Sequence, residues 1–287
     1  MPFVLPYPEI DPILVTFELF GFALPIRWYA LAYLTGLIVG LLLMRRLMAR
    51  PALWPGDTAP MTRDHVEALL TWMVIGIILG GRLGFVLFYQ PAYYLSHPSE
   101  ILQVWQGGMS FHGGFIGVIV GLAIFCRVNN IALLQAGDAL AIVAPQGLLL
   151  GRLANFINGE LWGRPTDAPW AMVFPAADAW PRHPSQLYEA ALEGALLMVL
   201  MWVLATRRGW LKQPGRMIGL FFVGYGAARA FVENFREPDA HYITEANPAG
   251  HVIRLGAEYG FTMGQVLSLP MIAIGVGFWV WAARRAS

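Results

Sequence analysis

Arg82, Arg152 and Arg229 stand inside long apolar runs of this chain. An ionised side chain in hydrocarbon is costly, so an arginine there is a functional hypothesis by default. Each lies five or six residues before the end of its run, at Phe88, Ile157 and Phe235. At ~1.5 Å per residue all three sit about 8–9 Å below the same edge of the apolar layer, which suggests one site. Buried positive charge with few carboxylates at hand calls for an anion, and the planar guanidinium fork matches phosphate. The abundant anion at that depth is a phospholipid headgroup. Other polar side chains collect at this level. Asn155 follows Arg152 by three residues and shares its helix face. Tyr225, Arg229 and Glu233 recur at four-residue spacing as a polar stripe. His112 opens one run after Gly107-Gly108-Met109-Ser110-Phe111, Tyr29 opens another, and Glu189 and Glu193 lie on the first turns of a third.

Blander readings stand beside these. Arg229 and Glu233 can form an internal ion pair that only glues helices. Arg82 can snorkel to the surface, and a histidine at a helix start can be a cap or packing residue. No competing motif is present: there is no G-x-S-x-G, H-E-x-x-H or G-x-x-x-x-G-K-[ST], and the six histidines lack metal-ligand spacing. The single cysteine, Cys126, excludes an internal disulfide and reads as a small apolar filler.

The elements that must carry these residues follow from composition. Of 287 residues 57% are apolar and 13% charged, against roughly 45–50% and 25% ordinarily, and mean hydropathy is +0.55. That excludes a disordered chain, a nucleic-acid binder and an ordinary soluble enzyme. The pattern is that of an all-α polytopic membrane protein, one integral membrane domain over 1–287. Seven spans are expected: Trp28–Met44, Val66–Phe88, Phe111–Arg127, Asp138–Ile157, Leu187–Ala205, Met217–Phe235 and Met263–Ala283. One set of span junctions holds 11 of the 19 basic residues and the opposite set 5. The positive-inside rule then places the N-terminus outside and the C-terminus in the cytoplasm. The regions 158–186 and 236–262 become long, aromatic-rich outer loops, and loops of that size tend to carry function. The N-terminal segment, with prolines at 2, 6, 8 and 12, does not read as a cleaved signal and is expected to lie along the outer surface. Glycines at four-residue spacing (Gly76/Gly80/Gly84 and Gly113/Gly117/Gly121) mark closely packed helices.

The run Gly151-Arg152-Leu153-Ala154-Asn155-Phe156-Ile157-Asn158-Gly159-Glu160-Leu161-Trp162-Gly163 resembles the signature of the prolipoprotein diacylglyceryl transferases. The resemblance extends, in order, through Trp28-Tyr29, Gly80-Gly81-Arg82, Gly107 to Gly114, His183 to Glu189, and Gly224-Tyr225 through Arg229 to Pro238-Asp239. It places nothing between Gly163 and His183. It implies a bacterial inner-membrane enzyme acting at the periplasmic face. Such an enzyme moves the diacylglyceryl group of phosphatidylglycerol onto the lipobox cysteine of a prolipoprotein, carried by its signal peptide, and releases glycerol phosphate. No metal and no organic cofactor is implied. The resemblance assigns site roles to His112, Arg152, Asn155, Glu160, Tyr225, Arg229 and Glu233, with Tyr29 near the substrate.

Elementary chemistry fits these roles. A thiol of pKa ~8.5 is mostly protonated at neutral pH and needs a base or a positive field. Its attack on the glycerol CH₂ carbon builds charge on the departing phosphate ester, where Arg152 and Arg229 can hold it, with Arg82 as a further binding residue. His112 is the first choice of base, since a neutral imidazole is competent at pH 7. Glu233 is the rival, weakened as a base by Arg229 beside it; a thiolate stabilised by arginine alone is the third possibility. Two other classes stay open: a multi-span phospholipid or anion transporter, and an intramembrane serine protease using Ser110 and His112.

Overall fold

The computed structural model describes residues 5–19, 21–256 and 259–285. Pro2 of the N-terminal segment, two residues of the 236–262 loop and the extreme C-terminus lie outside them. The backbone is mostly helical. The helices are α1 (Trp28–Met48), α2 (Arg63–Phe88), α3 (Pro91–Ser96), α4 (Phe111–Val128), α5 (Leu133–Ile157), α6 (Ser185–Glu189), α7 (Leu197–Arg207), α8 (Arg216–Val232) and α9 (Met263–Arg284). A π-helical stretch, Ala190–Leu196, joins α6 to α7, making one continuous helix over Ser185–Arg207. Among the described residues six helices are long and apolar enough to cross a membrane: α1, α2, α4, α5, Ser185–Arg207 and α9. The chain is a polytopic membrane protein.

The remaining expected span is shorter than the sequence suggested. Helix α8 has 17 residues, about 26 Å at ~1.5 Å each, against a hydrocarbon core of about 30 Å. It stops before Phe235 because the following backbone turns away to pair with residues 163–164. Phe235 O accepts the Arg164 N–H at 2.8 Å, and Gly163 bridges Arg236. The all-α expectation also needs correction. Three two-stranded antiparallel sheets are present: β1 (Ile13–Leu19) with β2 (Phe22–Arg27), β3 (Met172–Val173) with β4 (Pro181–Arg182), and β5 (Ile253–Arg254) with β6 (Gly260–Phe261). The first is a hairpin rich in β-branched and aromatic residues, which favour a pleated surface; its length is too short to register against the apolar bulk of the chain.

The chain forms two compact units, residues 41–140 on the one hand and 1–40 with 141–287 on the other. In the first, α2 packs on α4 backbone to backbone. A Cβ added to Gly80 would fall on the Gly113 carbonyl oxygen, and one on Gly117 would fall on that of Gly76. In the second, Gly194 of the π-helical stretch sits against α5, where its Cβ would lie 2.7 Å from Leu149 Cα. That approach brings the polar face of Ser185–Arg207 up to Arg152.

Candidate active site

In the unit formed by 1–40 and 141–287, three arginines meet three carboxylates. Glu189 and Glu193 have no exposed surface, and Glu233 keeps 5%. Arg152 Nε lies 3.1 Å from Glu189 Oε2, and its Nη2 lies 3.8 Å from Glu193 Oε2. Arg229 pairs with Glu189 through Nη1, and its Nη2 is 2.7 Å from Glu233 Oε2. Arg236 Nε reaches to 3.9 Å of Glu189 Oε1. The expected meeting of Arg152 and Arg229 is thus present, and Glu189 is its hub. The expected shortage of carboxylates is not. The partner of both arginines comes from another helix, so the cluster is balanced, three against three. The Arg229–Glu233 pair is as the spacing predicted, but it is one edge of a larger network.

Asn155 donates to Glu160 Oε1 at 2.8 Å, and Asn158 donates to the same oxygen at 3.2 Å. Gln186 donates to Glu160 O at 2.6 Å and Ser185 to Leu161 O at 3.0 Å. These bonds hold a turn in which Leu161 takes φ +58°, a conformation disfavoured for a bulky side chain and found where surrounding contacts over-determine it. Tyr225 stacks on Phe221 at 5.8 Å between centroids. Tyr29 shares a 3.1 Å hydrogen bond with Tyr33 and is 37% exposed.

Loop residues 158–186 and 236–256 are cross-tied into one structured cap. Arg182 pairs with Asp178 at 2.6 Å and Glu237 at 3.1 Å, and donates to Gly163 O at 3.0 Å. The guanidinium holds the Asp178 carboxyl below the ordinary carboxylate range. Arg164 donates to Arg236 O at 3.0 Å and Ala249 O at 3.1 Å. Tyr7 caps the end of α5, donating to Phe156 O at 2.5 Å. The stretch from Gly163 to His183, which matched no motif, carries the β3–β4 hairpin that presents Arg182.

Arg82 and His112 belong to the unit 41–140. Arg82 is 4% exposed, so it does not snorkel. It donates to the carbonyls of Glu100 (2.7 Å), Ile101 (2.8 Å), Gly107 (2.6 Å) and Gly108 (3.3 Å) and lies 5.1 Å from the Tyr94 ring. Gly107 and Gly108 take φ of +83° and +75°, which only glycine adopts freely and which turns both carbonyls to the guanidinium. Arg82 therefore fastens the loop that delivers His112. Arg82→Ala should cost about 2 kcal/mol or more of stability, since bonds to a charged group are worth roughly 1.5–3 kcal/mol each. Thermal unfolding in detergent reads this, and an unchanged midpoint would contradict it. His112 is exposed on the first turn of α4, edge-on to Phe111 at 5.7 Å. Ser110 caps that helix, accepting the Gly113 N–H at 3.2 Å.

The sequence places Glu189 and Glu193 at the level of the site without giving them a role, and does not single out Arg236, one of the five basic residues on the outer side. The signal was the spacing of Gln186, Glu189 and Glu193, three and then four residues apart, one polar face on an otherwise apolar helix.

Buried ion pairs carried by long apolar helices, with pinned loops beside them, set the chain apart from a simple membrane anchor: it is a polytopic membrane protein with a buried polar cluster. Comparison with known proteins narrows the class, for a family model described as prolipoprotein diacylglyceryl transferase matches residues 15–281. Relatives named phosphatidylglycerol–prolipoprotein diacylglyceryl transferase align over nearly the whole chain. One from Cereibacter sphaeroides is 53% identical over 291 residues, covering 98% of this chain and 99% of the relative. One from Ruegeria pomeroyi is 54% identical over 287 residues, 97% of each. One from Methylocella silvestris is 52% identical over 286 residues, 99% and 98%. The chain belongs to the prolipoprotein diacylglyceryl transferase family.

Proposed function

We propose that the chain transfers the diacylglyceryl group of phosphatidylglycerol to the lipobox cysteine of a prolipoprotein. The full-length identity with relatives of that name carries the reading. The thiol sulfur bonds to the glycerol CH₂ carbon, the C–O bond to phosphate breaks, and its electron pair leaves on glycerol phosphate. Arg152 and Arg229 stabilise that charge, in a site where fixed donors act more strongly than in water. Asn155, Glu160, Tyr225, Glu233 and Tyr29 shape the substrate side, and Arg82 contributes through the loop it holds. The thiol belongs to the substrate, so Cys126 needs no part in the reaction. Anchoring of both substrates in one leaflet supplies part of the rate through positioning. The 11-to-5 division of basic residues supports a periplasmic N-terminus, a cytoplasmic C-terminus and loop regions 158–186 and 236–262 on the periplasmic side of the bacterial inner membrane, an orientation that needs an odd number of spans, with α8 as the short seventh. A lipobox peptide incubated with the protein and phosphatidylglycerol should gain one diacylglyceryl mass. Equal modification of a peptide with serine in place of the cysteine would overturn the reading.

His112 is the proposed base. His112→Gln should be slow at pH 7 and recover as pH rises toward the thiol's own pKa of ~8.5, where thiolate forms unaided. A loss constant from pH 6 to 9, with weaker phosphatidylglycerol binding, would assign His112 to the headgroup instead.

A further inference from the structure

We propose that Glu189 is a positioning residue for the transfer, fixing which edge of each arginine faces the substrate phosphate; the inference rests on the transfer reading. Its carboxylate is fully buried and touches two arginines from two other helices. Arg152 Nε lies 3.1 Å from Oε2 as an ion pair without hydrogen-bond alignment, since Oε2, like the Glu193 oxygens, has no hydrogen-bond partner among the described residues. The two Nη groups of Arg152 form the end that grips phosphate in a bidentate fork. Nη2 lies 3.8 Å from Glu193 Oε2, beyond hydrogen-bond length. Arg229 is held the other way. Its Nη1 is bonded to Glu189 Oε1 and its Nη2 lies 2.7 Å from Glu233. One arginine is left with an open fork, and the other is closed into the network as fixed charge behind it. Without Glu189, Arg152 is released toward Glu193, whose oxygens have no hydrogen-bond partner among the described residues, and the open fork is lost. Glutamine has nearly the shape of glutamate but presents an NH₂ where one of the two arginines needs an acceptor.

The test is steady-state transfer by Glu189→Gln and Glu189→Asp in the full chain, alongside thermal unfolding in detergent. For folded Glu189→Gln the expected result is a kcat lowered by at least about 30-fold with KM for phosphatidylglycerol within about threefold, because geometry is lost while the positive charge that draws the headgroup is not. Glu189→Asp, which keeps the charge, should regain at least about fivefold of that loss. A folded glutamine variant with kcat within about threefold of the parent, a loss carried wholly by KM, or an aspartate variant no better than glutamine would each overturn the inference. Should glutamine not fold, aspartate decides: a lower kcat at constant KM supports the role, and an unchanged kcat or a KM-only loss overturns it. No transfer by the parent protein would strike the transfer reading itself.

Discussion

Arg152→Ala should lower lipid transfer by more than ~100-fold in kcat/KM, at least ~3 kcal/mol of transition-state stabilisation, the scale for removing one preorganised donor. Arg229→Ala should cost at least as much in rate. The two variants should differ in stability. Arg229 stands between Glu189 and Glu233, at 0% and 5% exposure, and its removal leaves both carboxylates short of a partner. Breaking one side of such a buried pair typically costs about 3–5 kcal/mol. Arg152 keeps 19% of its side chain exposed, and its loss should be milder on folding. Lysine should rescue Arg152 poorly, because a point charge cannot reproduce a fork. Initial rates per folded molecule, with melting curves beside them, separate the two effects. Near-parent turnover in Arg152→Lys would reduce that residue to a generic positive charge.

Gly117→Leu should remove most of the folded protein. In an ordinary core an extra side chain costs about 1–3 kcal/mol, because neighbours shift. Here a Cβ would strike the Gly76 carbonyl oxygen, and a backbone in the middle of a 26-residue helix cannot give way locally. The loss should exceed ~3 kcal/mol for that reason. Gly147→Ala on α5 is the control, since nothing lies within 4 Å of its added Cβ; helix propensity alone predicts no loss and up to ~1 kcal/mol gain. Yield and melting temperature in detergent measure both. A Gly117→Leu protein that melts with the parent would mean that α2 and α4 do not touch along this stripe.

Apolar run length located six of the seven expected spans as long apolar helices, and missed only that α8 is shorter. The run Val66–Phe88 became α2, Arg63–Phe88, and Phe111–Arg127 became α4, Phe111–Val128. Spacing within one helix also read correctly: Arg229 and Glu233, four apart, are paired. What spacing cannot convey is which residue of another helix stands opposite. Glu189 is 40 positions from Arg229, so counting carboxylates near each arginine along the chain missed the one that neutralises both. Gly194 was equally silent, because its role lies in the Leu149 backbone it approaches. Arg82 was visible as a buried charge, but its four partners are main-chain carbonyls of a loop, and main-chain geometry leaves little trace in residue type beyond Gly107 and Gly108. The β1–β2 hairpin was hidden by Pro12 just before its first strand and Pro25 inside its second.

In the proposed transfer the bond between glycerol carbon and phosphate oxygen breaks and the lipid half moves to the thiol. Phosphatidylglycerol labelled with one isotope in its acyl chains and another in its phosphorus tests it most directly, in purified protein with a lipobox peptide. The acyl label should move to the peptide while the phosphorus label leaves, in equal amount, as water-soluble glycerol phosphate. Phosphorus label on the peptide, or acyl label released as free fatty acid, would contradict it.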